Sequence, residues 1–155
     1  MKKSAGILLY RLHHGAPQVM LVHPGGPFWK NKDAGVWSIP KGEPNEGEDP
    51  LDAALREFRE ETGIPIKKST CTPLTPVKQK AGKLVLAWAM EGDLDTTAIN
   101  SNTFNMEWPP HSGKTQSFPE VDRAGWFGLE EAREKINPGQ VPLLNELEKI
   151  IKPGR

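Results

Sequence analysis

The chain has 155 residues, 36% hydrophobic and 26% charged, which fits one domain, residues 1–155, with a core of its own. Its 20 Lys and Arg balance 20 Asp and Glu, so no bulk charge draws it to nucleic acid or to a membrane, and any hold on a polyanion must come from local geometry. The single cysteine, Cys71, excludes an internal disulfide and a cysteine-based zinc site.

Ala5–Arg11 and Gln18–His23 read as strands around a turn at His14-Gly15-Ala16-Pro17, which predicts a hairpin. The apolar stretch is too short to span a bilayer and no small-residue cleavage site follows it, so a cytoplasmic protein is expected. Pro24–Ala34 is a loop rich in Gly and Pro; its Phe28 and Trp29 can line a pocket or pack on the core. Val36–Ile39 reads as a short strand stopped by Pro40, and Lys41–Asp49 is polar and turn-rich. The best-defined element follows. Asp49 suits an N-cap, Pro50 the first helical position, and Asp52 complements the N-terminal dipole. Leu51, Ala54, Leu55 and Phe58 recur at helical spacing, Gly63 suits the position after the last turn, and Pro65 blocks continuation. This predicts a helix over Pro50–Thr62. Further strands are expected at Thr72–Gln79 and Leu84–Glu91, a long irregular loop at Asn100–Pro119, a last strand at Ala124–Phe127, and helices at Leu129–Ile136 and Val141–Ile151. His13, His14 and His23 lack metal-ligand spacing and read as surface or strand residues.

The helix carries the chemistry. Glu57, Glu60 and Glu61 share one face beside the apolar one. An acidic solvated face is the plain alternative, but like charges one turn apart cost a few tenths of a kcal/mol, and two of the three acids lie in the last turn, where the dipole disfavours anions. A hard divalent cation would convert that repulsion into a binding site.

The surrounding residues complete a longer pattern. Gly42 is followed by five residues and Glu48, then by seven residues and Arg56-Glu57-Phe58-Arg59-Glu60-Glu61-Thr62-Gly63-Ile64. This run resembles the Nudix box at every defined position. The resemblance implies the Nudix fold, an α/β (α+β) arrangement with a mixed β-sheet between helices. It also implies Mg²⁺ (or Mn²⁺) held by Glu57, Glu60, Glu61 and the carbonyl of Gly42, with Arg56 orienting the carboxylates and Glu48 as one candidate partner. The reaction implied is attack of water on a phosphorus of a diphosphate linkage. The general base stays open among Glu57, Glu60 and a carboxylate outside the box, for which Glu120 is the best candidate; its alternative is an ordinary loop acid.

For the substrate, Pro40-Lys41-Gly42 looks like the diadenosine polyphosphate hydrolase branch of the family, with Lys41 as a mobile charge for a polyphosphate. Lys83 is a second candidate phosphate contact. Phe104 and Trp108 can stack on a base or anchor their loop to the core, and His111 and Lys114 can meet phosphates. The leading expectation is hydrolysis of a dinucleoside polyphosphate such as diadenosine tetraphosphate. A nucleoside triphosphate or oxidised nucleotide, a nucleotide-sensing module without turnover, and RNA 5′-end processing remain as alternatives. The partners expected are a small nucleotide, with no membrane and no extensive nucleic-acid contact, and a monomer or homodimer.

Overall fold

The computed structural model of the chain describes residues 2–66, 71–80 and 82–151. Two long strands, β1 (Lys3–His13) and β2 (Ala16–Pro24), form the expected hairpin, its turn at His14 and Gly15, both at positive φ (52° and 79°), as a right-twisted two-residue hairpin turn requires. β1 also pairs in parallel with β6 (Leu84–Glu91), and β2 pairs antiparallel with β9 (Val121–Gly128). Two-residue strands complete the sheet: β3 (Lys41–Gly42) on β1, and β4 (Thr72–Pro73) and β5 (Val77–Lys78) on β6. One parallel pair among antiparallel ones makes the sheet mixed.

Alternation along the strands feeds two cores. Ala5, Ile7, Leu9, Met20 and Val22 pack against Ala53, Ala54 and Phe58 of α1 (Pro50–Thr62). Leu8, Val19, Leu21, Val85 and Ala87 point the other way, onto Ala132 of α2 (Leu129–Lys135) and Leu143, Leu144 and Leu147 of α3 (Val141–Ile150). A sheet buried on both faces explains why β1 and β2 read as unbroken apolar runs. The sheet therefore lies between helices, the arrangement the sequence implied.

Helix α1 ends where its signals say. Asp49 accepts from the N–H groups of Leu51 and Asp52, and Gly63, at φ 77°, donates its N–H to the carbonyl of Arg59. Three expectations need correction. Val36–Ile39 makes only isolated bridges, Trp37 to Ile136 and Ser38 to Val22. Thr72–Gln79 breaks into β4 and β5, because Pro73 and Pro76 take donors out of the ladder. Asn100–Pro119 is not irregular: β7 (Thr103–Glu107) and β8 (Thr115–Pro119) pair as a separate antiparallel hairpin, with Phe104 opposite Phe118 and Met106 opposite Gln116. Among the described residues no helix is long and apolar enough to cross a membrane.

Candidate active site

The sheet and α1 assemble the site between them. Ala53, Ala54 and Phe58 fix α1 on the sheet, which leaves its acidic face along the edge where β3 joins β1, with Gly42 opposite Ala5 and Lys41 opposite Gly6. Here Gly42 is required by close approach: a Cβ added to it would stand 2.0 Å from the carboxyl carbon of Glu57. No other residue leaves that carboxylate room against the strand.

Arg56 organises the acids. Its Nε and Nη2 form a two-pronged pair with Glu48, both at 3.0 Å; Nη1 donates to Glu57 Oε2 at 2.9 Å and to Glu60 Oε1 at 3.1 Å; Nη2 also reaches the carbonyl of Glu43 at 3.1 Å. A planar fork with several donors suits this task, and a lysine would make only part of it. These contacts hold the guanidinium fully charged and pull Glu48 below the usual carboxylate range.

Glu61 lies beside Lys41 in the wall of a cavity. Burial pushes its carboxyl up to about 9, the nearby charges of Glu57 and Glu120 add to the rise, and Lys41, through its charge and its backbone N–H, opposes it. Burial also raises Glu57, against the pull of Arg56, and raises Glu120, with Glu60 adding to the effect. Lys41 moves down, chiefly through burial and then through Lys83. Lys83 itself reaches Glu43 at 3.6 Å.

Glu120 arrives from a remote part of the chain, and a backbone ladder holds it. Asn100 N–H donates to the carbonyl of Thr62 at 2.7 Å, Asn102 N–H to that of Glu60 at 2.8 Å, Glu120 N–H to that of Asn102 at 2.8 Å, and Gly25 N–H to that of Glu120 at 2.9 Å. The last turn of α1 is thus tied to both ends of the β7–β8 hairpin.

Glu57, Glu60, Glu61 and Glu120 are hard oxygen donors of the kind Mg²⁺ takes, and Gly42 lets the Glu57 carboxylate come close against the β3 backbone, beside the residue whose carbonyl is expected to join them. Among the described residues no three of these side chains converge on one point: Glu57 and Glu60 are engaged by Arg56, while Glu61 lies against Lys41.

A cavity of about 140 Å³ opens beside this cluster, with Ser38, Lys41, Glu61 and Glu120 in its wall. It shares Pro24, Val36, Ser38 and Lys41 with a second cavity of about 230 Å³, walled also by Trp29, Gln79, Asn137 and Gln140. The structure thus brings together Lys41, Gly42, Arg56, Glu57, Glu60, Glu61 and Glu120, with Lys83 adjoining. Phe104 and Trp108 wall neither cavity. Phe104 packs at Gly26 and near Phe118, and Trp108 meets Phe28 edge-on at 5.7 Å. His23 is a strand residue of β2, as one of its two readings has it, and is buried. Its Nδ1 lies 2.9 Å from Asp122 Oδ1 and its Nε2 2.7 Å from the carbonyl of Lys32, which pins the loop carrying Trp29.

Comparison with known proteins follows the same lines. The family model for the NUDIX domain matches residues 2–147. The chain belongs to the Nudix family of hydrolases. Among solved structures of the Nudix fold, a Caenorhabditis elegans Ap4A hydrolase binary complex superposes with a TM-score of 0.65 at 24% identity, covering 98% of both chains. The Nudix domain of Shewanella oneidensis NrtR, solved with ADP ribose, gives 0.67 at 15% identity over 97% of this chain and 88% of that one. At these identities the likeness is one of fold. Curated relatives match a short segment: an African swine fever virus mRNA-decapping protein, g5R, and a Rhizobium meliloti RNA pyrophosphohydrolase are each 62% identical over 29 residues, 19% of this chain. The matched segment spans only 12% and 17% of those two proteins' own lengths.

Sequence reasoning missed Gln79, Asn137 and Gln140. Asn137 and Gln140 were signalled only by the turn-forming run Asn137-Pro138-Gly139 ahead of an apolar helix, which reads as punctuation, and Gln79 by nothing.

Proposed function

We propose that this chain is a single-domain, cytoplasmic, divalent-metal-dependent pyrophosphohydrolase that acts on nucleotide-linked diphosphates, dinucleoside polyphosphates being the substrate class. The observation that carries the reading is the half-buried edge where Glu57 lies against Gly42, Arg56 spans Glu48, Glu57 and Glu60, and Glu61 and Glu120 share a cavity with Lys41. Arg56 alone leaves Glu57, Glu61 and Glu120 raised, which favours a further cation there, and a lysine beside them gives an anionic substrate a foothold.

Glu57, Glu60 and Glu61, with the carbonyl of Gly42, would hold Mg²⁺ or Mn²⁺. When bound, the metal neutralises phosphate oxygens and acidifies a water. Arg56 acts as the positioning residue, fixing Glu57 and Glu60 in place. Lys41 binds the polyphosphate as a point charge, and Lys83 adds to the positive field on that side. Glu120 takes the role of base. It is not tied to Arg56 as Glu57 and Glu60 are, and partial burial with the nearby Glu60 raises its carboxyl, the direction that suits a base. The intact carboxylate set supports turnover over a sensing role. The likeness in fold to the C. elegans Ap4A hydrolase fits the dinucleoside reading.

The test is a screen of purified protein with Mg²⁺ or Mn²⁺ against dinucleoside polyphosphates, nucleoside triphosphates, nucleotide sugars and capped RNA, with product analysis and ¹⁸O-water to mark the attacked phosphorus. Metal-dependent cleavage that falls at least about 100-fold in Glu57→Gln is expected. Absence of turnover, or a Glu57→Gln variant as active as the parent, would refute the reading.

A further inference from the structure

Backbone groups fix the hydrogen-bonding pattern of the larger cavity. The N–H of Ile39 can only donate, so the Gln140 atom 3.1 Å away is its oxygen, Oε1. Gln140 Nε2 is then a donor, lying 3.0 Å from Ser38 Oγ and 2.8 Å from Gln79. Gln79 must meet it with Oε1, which leaves the Gln79 NH₂ without a protein acceptor among the described residues. The same logic applies at Asn137. The N–H of Gly139 donates to its Oδ1 at 2.9 Å, so the Asn137 NH₂ too has no protein acceptor among the described residues. The two amides are neighbours: a Cβ on Gly139 would stand 3.2 Å from Gln79 Cγ and 3.3 Å from Asn137 Oδ1. Gln140 is fully buried, so the network is locked from behind. Trp29 adds an aromatic wall, partly exposed, with the Lys32 ammonium 5.3 Å from its ring centroid.

The cavity thus offers an aromatic face and two amide donors with no opposing acceptor from these side chains. At about 230 Å³ it suits one planar base more than a drug-sized ligand, which takes about 300–1,000 Å³. It opens past Lys41 into the cavity of Glu61 and Glu120. We infer that this cavity recognises the base of a 6-oxopurine nucleotide, guanine or hypoxanthine, with the NH₂ groups of Gln79 and Asn137 donating to O6 and N7 and Trp29 against the ring. The placement of the phosphates at Lys41 rests on the pyrophosphohydrolase reading; the base preference does not. Adenine offers N7 as an acceptor but puts a donor, its N6 amino group, where O6 would be. An 8-oxoguanine carries a proton on N7 and puts a donor where N7 accepts. Both should be rejected, because a donor facing a donor leaves both unpaired. The adenine-containing dinucleotide is then a disfavoured member of the substrate class.

Calorimetric titration of the metal-free protein with GDP, IDP, ADP and 8-oxo-GDP tests this without turnover. GDP and IDP should bind on the order of 10-fold more tightly than ADP and 8-oxo-GDP. Gln79→Glu and Asn137→Asp each keep the oxygen that meets Gln140 or Gly139 and replace the free NH₂ with an acceptor. Each should erase or invert the GDP:ADP ratio. The ratio is the readout, since an added carboxylate weakens every nucleotide, and a melting curve for each variant confirms that it folds. Equal binding of the four, no binding of any, or a ratio unchanged in both variants overturns the assignment. Base preference without Mg²⁺-dependent hydrolysis would sink the pyrophosphohydrolase reading and leave the pocket standing. Hydrolysis without base preference would do the reverse.

Discussion

Glu61 shows what a single residue costs and contributes. Its carboxyl sits near 9 in the folded chain against an ordinary value of 4.5, so folding favours its protonated form. Below the ordinary value both states hold the proton and there is no penalty. As pH rises through that window the unfolded chain ionises first and the metal-free fold loses stability, until the folded group also ionises. Glu61→Gln removes this penalty. We expect the metal-free variant to melt a few degrees above the parent at pH 8, at roughly 2–4 °C per kcal/mol for a chain of this size, while losing metal-dependent activity. A variant that melts lower would show that the burial of Glu61 is offset elsewhere. Gly42→Ala tests the opposite strand. Because its methyl would overlap the Glu57 carboxyl at 2.0 Å, the side chain must move, and a displacement of that size costs about 100-fold in kcat. Arg56→Lys should destabilise the fold by about 2 kcal/mol in urea titration. It should also fail to restore activity, since one ammonium cannot reach Glu48, Glu57 and Glu60 together.

At the scale of elements, what the sequence reveals depends on whether the signal is local. Helix α1 was legible to the residue, because Asp49, Pro50 and Gly63 act on their own neighbours. The box spacing likewise named Gly42, Arg56 and the three glutamates. The β7–β8 hairpin was not legible. Its alternation, Thr103-Phe104-Asn105-Met106-Glu107, spans only five residues and was masked by the turn-forming run at Trp108–Gly113. Gln140 was invisible for another reason: its partners Ser38 and Gln79 lie 102 and 61 residues away, and nothing in a sequence marks that meeting. Two outcomes belong here. Asp49→Ala removes the acceptor for two N–H groups and should cost about 1 kcal/mol of stability by denaturant titration. Trp108→Ala deletes the edge-on partner of Phe28, next to the cavity residue Trp29. We expect a raised KM for nucleotide with kcat within about two-fold, the pattern of lost uniform binding.

For the whole molecule, the two cores share one sheet: Leu8 points into one, Ile7 and Leu9 into the other. Coupling of this kind predicts a single unfolding transition. Metal with nucleotide at about 100 times Kd should add about 2.7 kcal/mol, seen as an upward shift of the melt that EDTA reverses.

The ladder at the foot of the hairpin has a further meaning. Asn102 and Glu120 meet backbone to backbone, and Asn102 is in turn fastened to the end of α1. Everything between them hangs from a closed root. The tip of that stretch can therefore differ in length without displacing the acid at its base. Its freedom is bounded by two contacts, Phe104 at Gly26 and Trp108 at Phe28, which fasten it to the loop of Trp29 as well as to its root.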